Sequence, residues 1–175
     1  MKNPAANTAR RLVLLSLLAV ALSGCFGSKK ELISSKEAEF PFEEISFSEV
    51  GRNEPTILVL RDGAYRSLEE DNPVAFLFKK IAPDTYVTQA MGEEGGKKSY
   101  LFAVLKVDGR TNLIRAYKAE AKDEEKAPGL YRCMDDTLCF DTLQPYVDYA
   151  LKAIAAGEEP DATYRILSTK PVTPR

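Results

Sequence analysis

Between Glu44 and Lys118 short runs of β-branched and aromatic residues alternate with turn chemistry. The runs are Glu44–Val50, Thr56–Arg61, Val74–Ile81, Thr85–Met91, Ser99–Val107 and Asn112–Lys118. Asp62-Gly63, Asn72-Pro73, Pro83-Asp84, Gly92 to Gly96 and Asp108-Gly109 stand at the junctions, a pattern that predicts strands joined by turns. Tyr86, Thr88 and Ala90 fall on one face of their run and Val87, Gln89 and Met91 on the other, the two-residue period of a strand. From Tyr100 to Val107 nearly every residue is apolar, which predicts a central strand covered on both faces. Asp-Gly tolerates the positive φ angles of a tight turn, so the runs flanking Asp108-Gly109 are expected to pair as a hairpin. Successive hairpins imply an antiparallel meander.

After Asp141 the period changes. Leu143, Val147, Ala150, Leu151 and Ile154 recur at three- and four-residue spacings, as along one side of a helix. Asp141 is placed to cap it, Gln144 follows at the capping-box spacing, Pro145 falls within the first turn, and Gly157 can end it in a left-handed turn. Tyr164 and Ile166 alternate against Arg165 and Leu167, so Ala162–Ser168 reads as a final strand, and Pro171 to Arg175 is expected to fray. No fixed-period repeat is present. The predicted class is α+β: an antiparallel β-meander of about six to seven strands, curved or partly closed, with one C-terminal helix. A lipocalin-like barrel is compatible with a meander followed by a late helix and strand, a likeness of topology alone.

The amino-terminus follows a different pattern. Lys2, Arg10 and Arg11 precede a run from Leu12 to Leu22 that is apolar except for Ser16, the charged and apolar regions of a secretory signal. As a helix that run would cover only about 16 Å, roughly half a bilayer's hydrocarbon core, so a permanent span is not expected. Leu22-Ser23-Gly24-Cys25 resembles the lipobox of bacterial lipoproteins. The resemblance implies cleavage before Cys25, diacylglycerol on its sulfur and an N-acyl chain such as palmitate on its amine, and two chains suffice for stable anchoring. Phe26 stands where many such proteins kept at the inner membrane carry Asp, so the resemblance implies an outer-membrane anchor facing the periplasm. Arg10-Arg11 fits a plain charged start better than a twin-arginine signal. Residues 1–24 are thus read as a leader, 25–42 as a lipidated flexible tether rich in Ser, Lys and Glu, and 43–170 as one globular domain.

Of the 175 residues, 24 are basic and 26 acidic. Loss of a leader with three basic residues leaves 21 against 26, a mature charge near −5 that gives no reason to bind nucleic acid. Histidine is absent, which removes the commonest general base, the usual partner of a Ser or Cys nucleophile and the commonest metal ligand. Most hydrolase and metalloenzyme readings fall with it.

Cys133 and Cys139 are the thiols left once Cys25 is acylated, and in an oxidising compartment a structural disulfide is the natural reading. A redox pair lacks the Cys-x-x-Cys spacing, and a metal site built with Asp135 and Asp136 would have no imidazole. The clusters Glu69-Glu70-Asp71, Glu93-Glu94, Asp123-Glu124-Glu125 and Glu158-Glu159 read as solvated loops, because loop neighbours do not provide a glycosidase's two carboxylates at a fixed separation, nor the spacing of a calcium loop. The glycine-rich Gly92 to Gly96 is acidic and would repel phosphate, which suits a flexible hairpin tip. Tyr65, Tyr86, Tyr100, Tyr117 and Tyr131 recur through the strands; they are either plain core or, for the first four, the lining of a ligand cavity. The expected function is that of a non-catalytic, membrane-anchored envelope lipoprotein that binds or assembles with another envelope protein and uses no cofactor beyond its lipid. The alternative is a carrier of a small hydrophobic ligand within a lipocalin-like sheet.

Overall fold

The computed structural model describes residues 26–68, 74–94, 96–118, 128–134 and 137–172. The expected leader and Cys25, the acidic clusters at 69–71 and 123–125, the Asn72-Pro73 turn, Gly95, the Asp135-Asp136 pair and residues 173–175 lie outside them.

Among the described residues the chain forms eleven strands and a single helix. The strands are β1 (Phe26–Ser28), β2 (Phe42–Glu49), β3 (Thr56–Arg61), β4 (Ala64–Ser67), β5 (Ala75–Ala82), β6 (Thr85–Glu94), β7 (Lys97–Asp108), β8 (Leu113–Tyr117), β9 (Leu130–Met134), β10 (Thr137–Phe140) and β11 (Ala162–Pro171). Helix α1 spans Leu143–Ala155. The predicted meander runs from β2 to β8, and β11 then pairs antiparallel with both β8 and β2, closing an eight-strand barrel. Closure leaves no unpaired edge in the meander. The expectation of six to seven strands is therefore too low. The extra strands are those the pattern hides: β4 has four residues, too few to show a period, while β1 contains Gly27, and β9 and β10 are short and each carry a cysteine.

β7 is central, as its apolar run predicts. It pairs along its length with β6, while its other side is shared: Tyr100 to Phe102 pair with β1, and Val104 to Asp108 pair with β8. β10 joins β1 in parallel and β9 joins β10 antiparallel, so a small lateral sheet branches from the barrel wall. α1 lies over this branch, with Tyr146 stacked on Phe140 at 5.1 Å and tilted against Phe26 at 5.1 Å.

Two cores result. Inside the barrel lie Ile45, Leu58, Tyr65, Phe78, Tyr86 and Ile114, joined by Phe40. Outside it, Val87, Phe102 and Val104 on the outward face of β6 and β7 pack with Phe26, Ile33, Phe140 and Tyr146. The alternation read in Thr85–Met91 is thus the wall of a barrel buried on both faces.

The segment 25–42, expected to be a flexible tether, is corrected from Phe26 onward. Phe26 and Ile33 are fully buried, and Phe40 is 7% exposed. Apolar residues spaced along a polar stretch are enough to lay it on the barrel as a strap. Gln89 holds it: its Oε1 accepts from the backbone N–H groups of Leu32 and Ile33, and its Nε2 donates to the Ile33 carbonyl. The Glu39 N–H then donates to the Phe78 carbonyl on β5.

Local signals fared unevenly. The turn after Asp108 forms, but Asn112 takes the left-handed conformation (φ 54°), and Asp108 Oδ1 accepts from the N–H groups of Arg110 and Thr111. At the start of α1 the N-cap is Thr142, without a side-chain cap; Asp141 instead accepts from the Tyr131 hydroxyl, and Gln144 donates to Asp148. Gly157 ends the helix as predicted, with φ 93°, its N–H on the Ile154 carbonyl and that of Glu158 on the Ala153 carbonyl. β11 continues to Pro171, beyond the predicted Ser168.

Candidate functional site

The inward face of the barrel changes character along its axis. At one end it is filled with rings. Phe40 enters from the strap and stacks on Phe78 at 4.2 Å, with Tyr65, Tyr86 and Phe42 edge-on around it at 5.1 to 5.6 Å. The Tyr65 hydroxyl donates to the Phe42 carbonyl at 2.6 Å. Burial pushes the Tyr65 phenol up to about 12 and raises that of Tyr86, which also faces the carboxylates of Asp84 and Glu39. Neutral, ring-packed tyrosines make a floor rather than a reactive group. Beyond this plug an open depression of about 400 Å³ lies between the strap and the β3–β4 turn, bounded by Ser35, Glu39, Leu60, Gly63 and Val172.

Above the floor the inward residues become small. The register places Thr88 between Phe78 and Ala103, Ala90 between Phe76 and Leu101, and Ala116 between Leu105 and Ala162. Alanines thus face inward from four consecutive strands, β6, β7, β8 and β11. Phe47, Phe76 and Tyr164 face them, and all of these except Thr88 are half-buried. Thr88 is 9% exposed, and its Oγ1 is buried with no hydrogen-bond partner among the described residues. At the rim Tyr164 sits opposite Glu49, whose carboxylate is bridged by Arg52 at 3.0 Å. Burial raises the Tyr164 phenol, and the Glu49 carboxylate adds to the effect.

The four tyrosines singled out as one ligand-binding set are not one site. Tyr65 and Tyr86 belong to the barrel floor, whereas Tyr100 and Tyr117 belong to the outer core. Adjacent strands gave them a shared period but opposite faces, since Tyr100 opposes Met91 while Tyr86 opposes Leu105. Tyr131 is exposed on β9 and donates to Asp141. Sequence reasoning missed Thr88, Gln89 and Phe40. The signal for Gln89 was present, an amide between Val87 and Met91 on a face otherwise apolar.

Cys133 and Cys139 lie at disulfide distance, Cα atoms 5.7 Å apart, on the β9–β10 hairpin. This joins two strands of the lateral sheet next to α1. Glu93 pairs in register with Lys98 near the β6–β7 tip, where Gly96 takes φ 77°. Among the described residues no group of three or more Cys, Asp or Glu side chains could hold a metal, and no helix is long and apolar enough to cross a membrane. Comparison of the chain with protein-family models, curated proteins and solved structures finds no match.

Proposed function

We propose that the protein is a non-catalytic binding component of the bacterial cell envelope, lipid-anchored through Cys25 and working on the periplasmic face of the outer membrane. The lipobox-like stretch and the missing imidazole motivate this reading. The structural observation that supports it is the strap. With Phe26 fully buried as the first residue of β1, acyl chains on Cys25 leave no spacer between lipid and body. Such a body rests against the bilayer and meets partners in its plane, which suits assembly with another envelope protein. The test is metabolic labelling with palmitate together with crosslinking in intact cells. Label in the wild type, its loss in Cys25→Ser, and an envelope protein captured by the wild type are expected; an unlabelled wild type retained in the cytosol overturns the proposal.

A second reading, carriage of a small hydrophobic ligand, has its own support in the half-buried apolar ring of the closed barrel. Organic extraction and mass spectrometry of the natively purified protein test it.

A further inference from the structure

Large rings line one half of the barrel interior, and small side chains line much of the other. Around the floor, large rings meet across the interior; one level up, Ala90, Ala103, Ala116 and Ala162 end at Cβ on four neighbouring strands. Interiors of folded proteins are close-packed, and a level lined by alanines on one side can close only if something reaches across to it. Phe47, Phe76 and Tyr164 stand opposite, yet they and the alanines remain half-buried. The level is an incompletely filled cup.

Thr88 gives this space a chemical preference. Its hydroxyl is directed inward by the register, just above the ring floor, and is buried without a partner among the described residues. A buried hydroxyl left unpaired costs on the order of 1–3 kcal/mol, so a partner supplied from outside the chain is favoured. Charge narrows the choice. Among the described residues Tyr164 faces inward here, Glu49 at the rim is bridged by Arg52, and Asp161, whose charge also acts on the Tyr164 phenol, accepts from the Lys118 N–H. A charged ligand would have to leave water for a lining made mainly of alanine, phenylalanine and tyrosine side chains and one hydroxyl.

We infer that this half of the barrel is a binding site for a small, uncharged, mainly apolar molecule that presents one hydrogen-bonding group to Thr88. The apolar part lies against Ala103, Ala116 and Phe76; the polar group meets the Thr88 hydroxyl at the floor. The inference rests on the ligand-carrier reading and supplies its site, and it is independent of the anchor at Cys25.

The test is fluorescence titration of the purified full chain with N-phenyl-1-naphthylamine, an uncharged apolar probe with one N–H group, after subtraction of protein-free buffer of the same detergent content. Wild type is expected to bind saturably. Ala103→Phe, which fills the cup, should weaken binding at least about tenfold; Thr88→Val, which keeps the shape and removes the hydroxyl, should weaken it about fivefold, one neutral hydrogen bond's worth. Circular dichroism identifies any variant that fails to fold, and Ala116→Leu then takes the place of Ala103→Phe. Absence of saturable binding by wild type, or equal affinity in the folded variants, overturns the proposal. A ligand extracted in equal yield from native wild type and Ala103→Phe would overturn the site while leaving the carrier reading standing.

Discussion

The Gln89 side chain and the Ile33 backbone form a closed pair: Oε1 accepts from the Ile33 N–H at 2.9 Å, and Nε2 donates to the Ile33 carbonyl at 3.2 Å. Gln89 is 1% exposed and Ile33 is fully buried, and Oε1 also takes the Leu32 N–H at 2.8 Å. One amide on the outer barrel wall thus satisfies three backbone groups that would otherwise be buried without partners.

Gln89→Leu leaves those groups unpaired in an apolar setting. The variant should lose about 2–4 kcal/mol, since each buried unpaired group costs about 1–3 and the strap can partly detach to recover water. Hydrogen exchange at the Leu32 and Ile33 amides should accelerate toward unprotected rates, and trypsin should cut at Lys29 or Lys30 in the otherwise folded protein. Unchanged protection would mean that Ile33 and Phe26 hold the strap by packing alone.

Phe40 tests the other end of the strap. Its ring touches Phe42, Tyr65, Phe78 and Tyr86, and removing it opens the barrel floor. Phe40→Ala should cost about 3–5 kcal/mol, the usual loss for a buried ring, whereas Phe40→Leu should cost well under half as much. Denaturant midpoints measured at constant slope give the comparison. Equal costs for the two would show that the ring contacts themselves, and not apolar volume alone, close this end.

Cys133 and Cys139 should carry a disulfide in protein recovered from an oxidising compartment. Mass measurement with and without reductant is expected to show a gain of two hydrogens. Closing a seven-residue loop stabilises by about 2 kcal/mol in the chain-entropy account, so Cys133→Ala with Cys139→Ala should lower the melting temperature without abolishing folding. The same mass before and after reductant would show that the pair stays reduced.

What was legible in the sequence follows from how far each signal reaches. Period-two runs between turn residues located β3, β5, β6, β7 and β8 to within three residues at each end, because alternation is a local property. Helix α1 and its Gly157 terminus were legible for the same reason. Closure was not, since it depends on β11 meeting β2 more than a hundred residues earlier in the chain. Composition alone marked 25–42 as a tether; three widely spaced residues, Phe26, Ile33 and Phe40, outweigh the polar ones between them once a barrel wall exists to receive them. The tyrosine set failed because period identifies faces within a strand and says nothing about which face of a barrel each neighbour shares. Thr88 carried no signal, as a threonine in a strand is ordinary until its hydroxyl is found buried and unpaired.

High pH offers a test of the barrel floor that no substitution is needed to begin. The Tyr65 phenol is pushed from 10.0 up to about 12 by burial, and burial also raises those of Tyr86 and Tyr164. In the unfolded chain these groups ionise near the ordinary value, so below it both states hold the proton and these residues impose no pH dependence. Between 10 and about 12 the unfolded state binds fewer protons than the folded one, and stability falls as pH rises through the folded values. Denaturant midpoints should therefore be flat through these groups below pH 10 and drop steeply above it. Ultraviolet titration of the folded protein should show the eight tyrosines ionising in at least two classes, the later one coinciding with unfolding. Tyr65→Phe should make the alkaline drop shallower while costing about 1 kcal/mol at neutral pH for the lost bond to the Phe42 carbonyl. A single class ionising near the ordinary value in protein that stays folded would show that water reaches the floor and that the rings around Phe40 do not seal it.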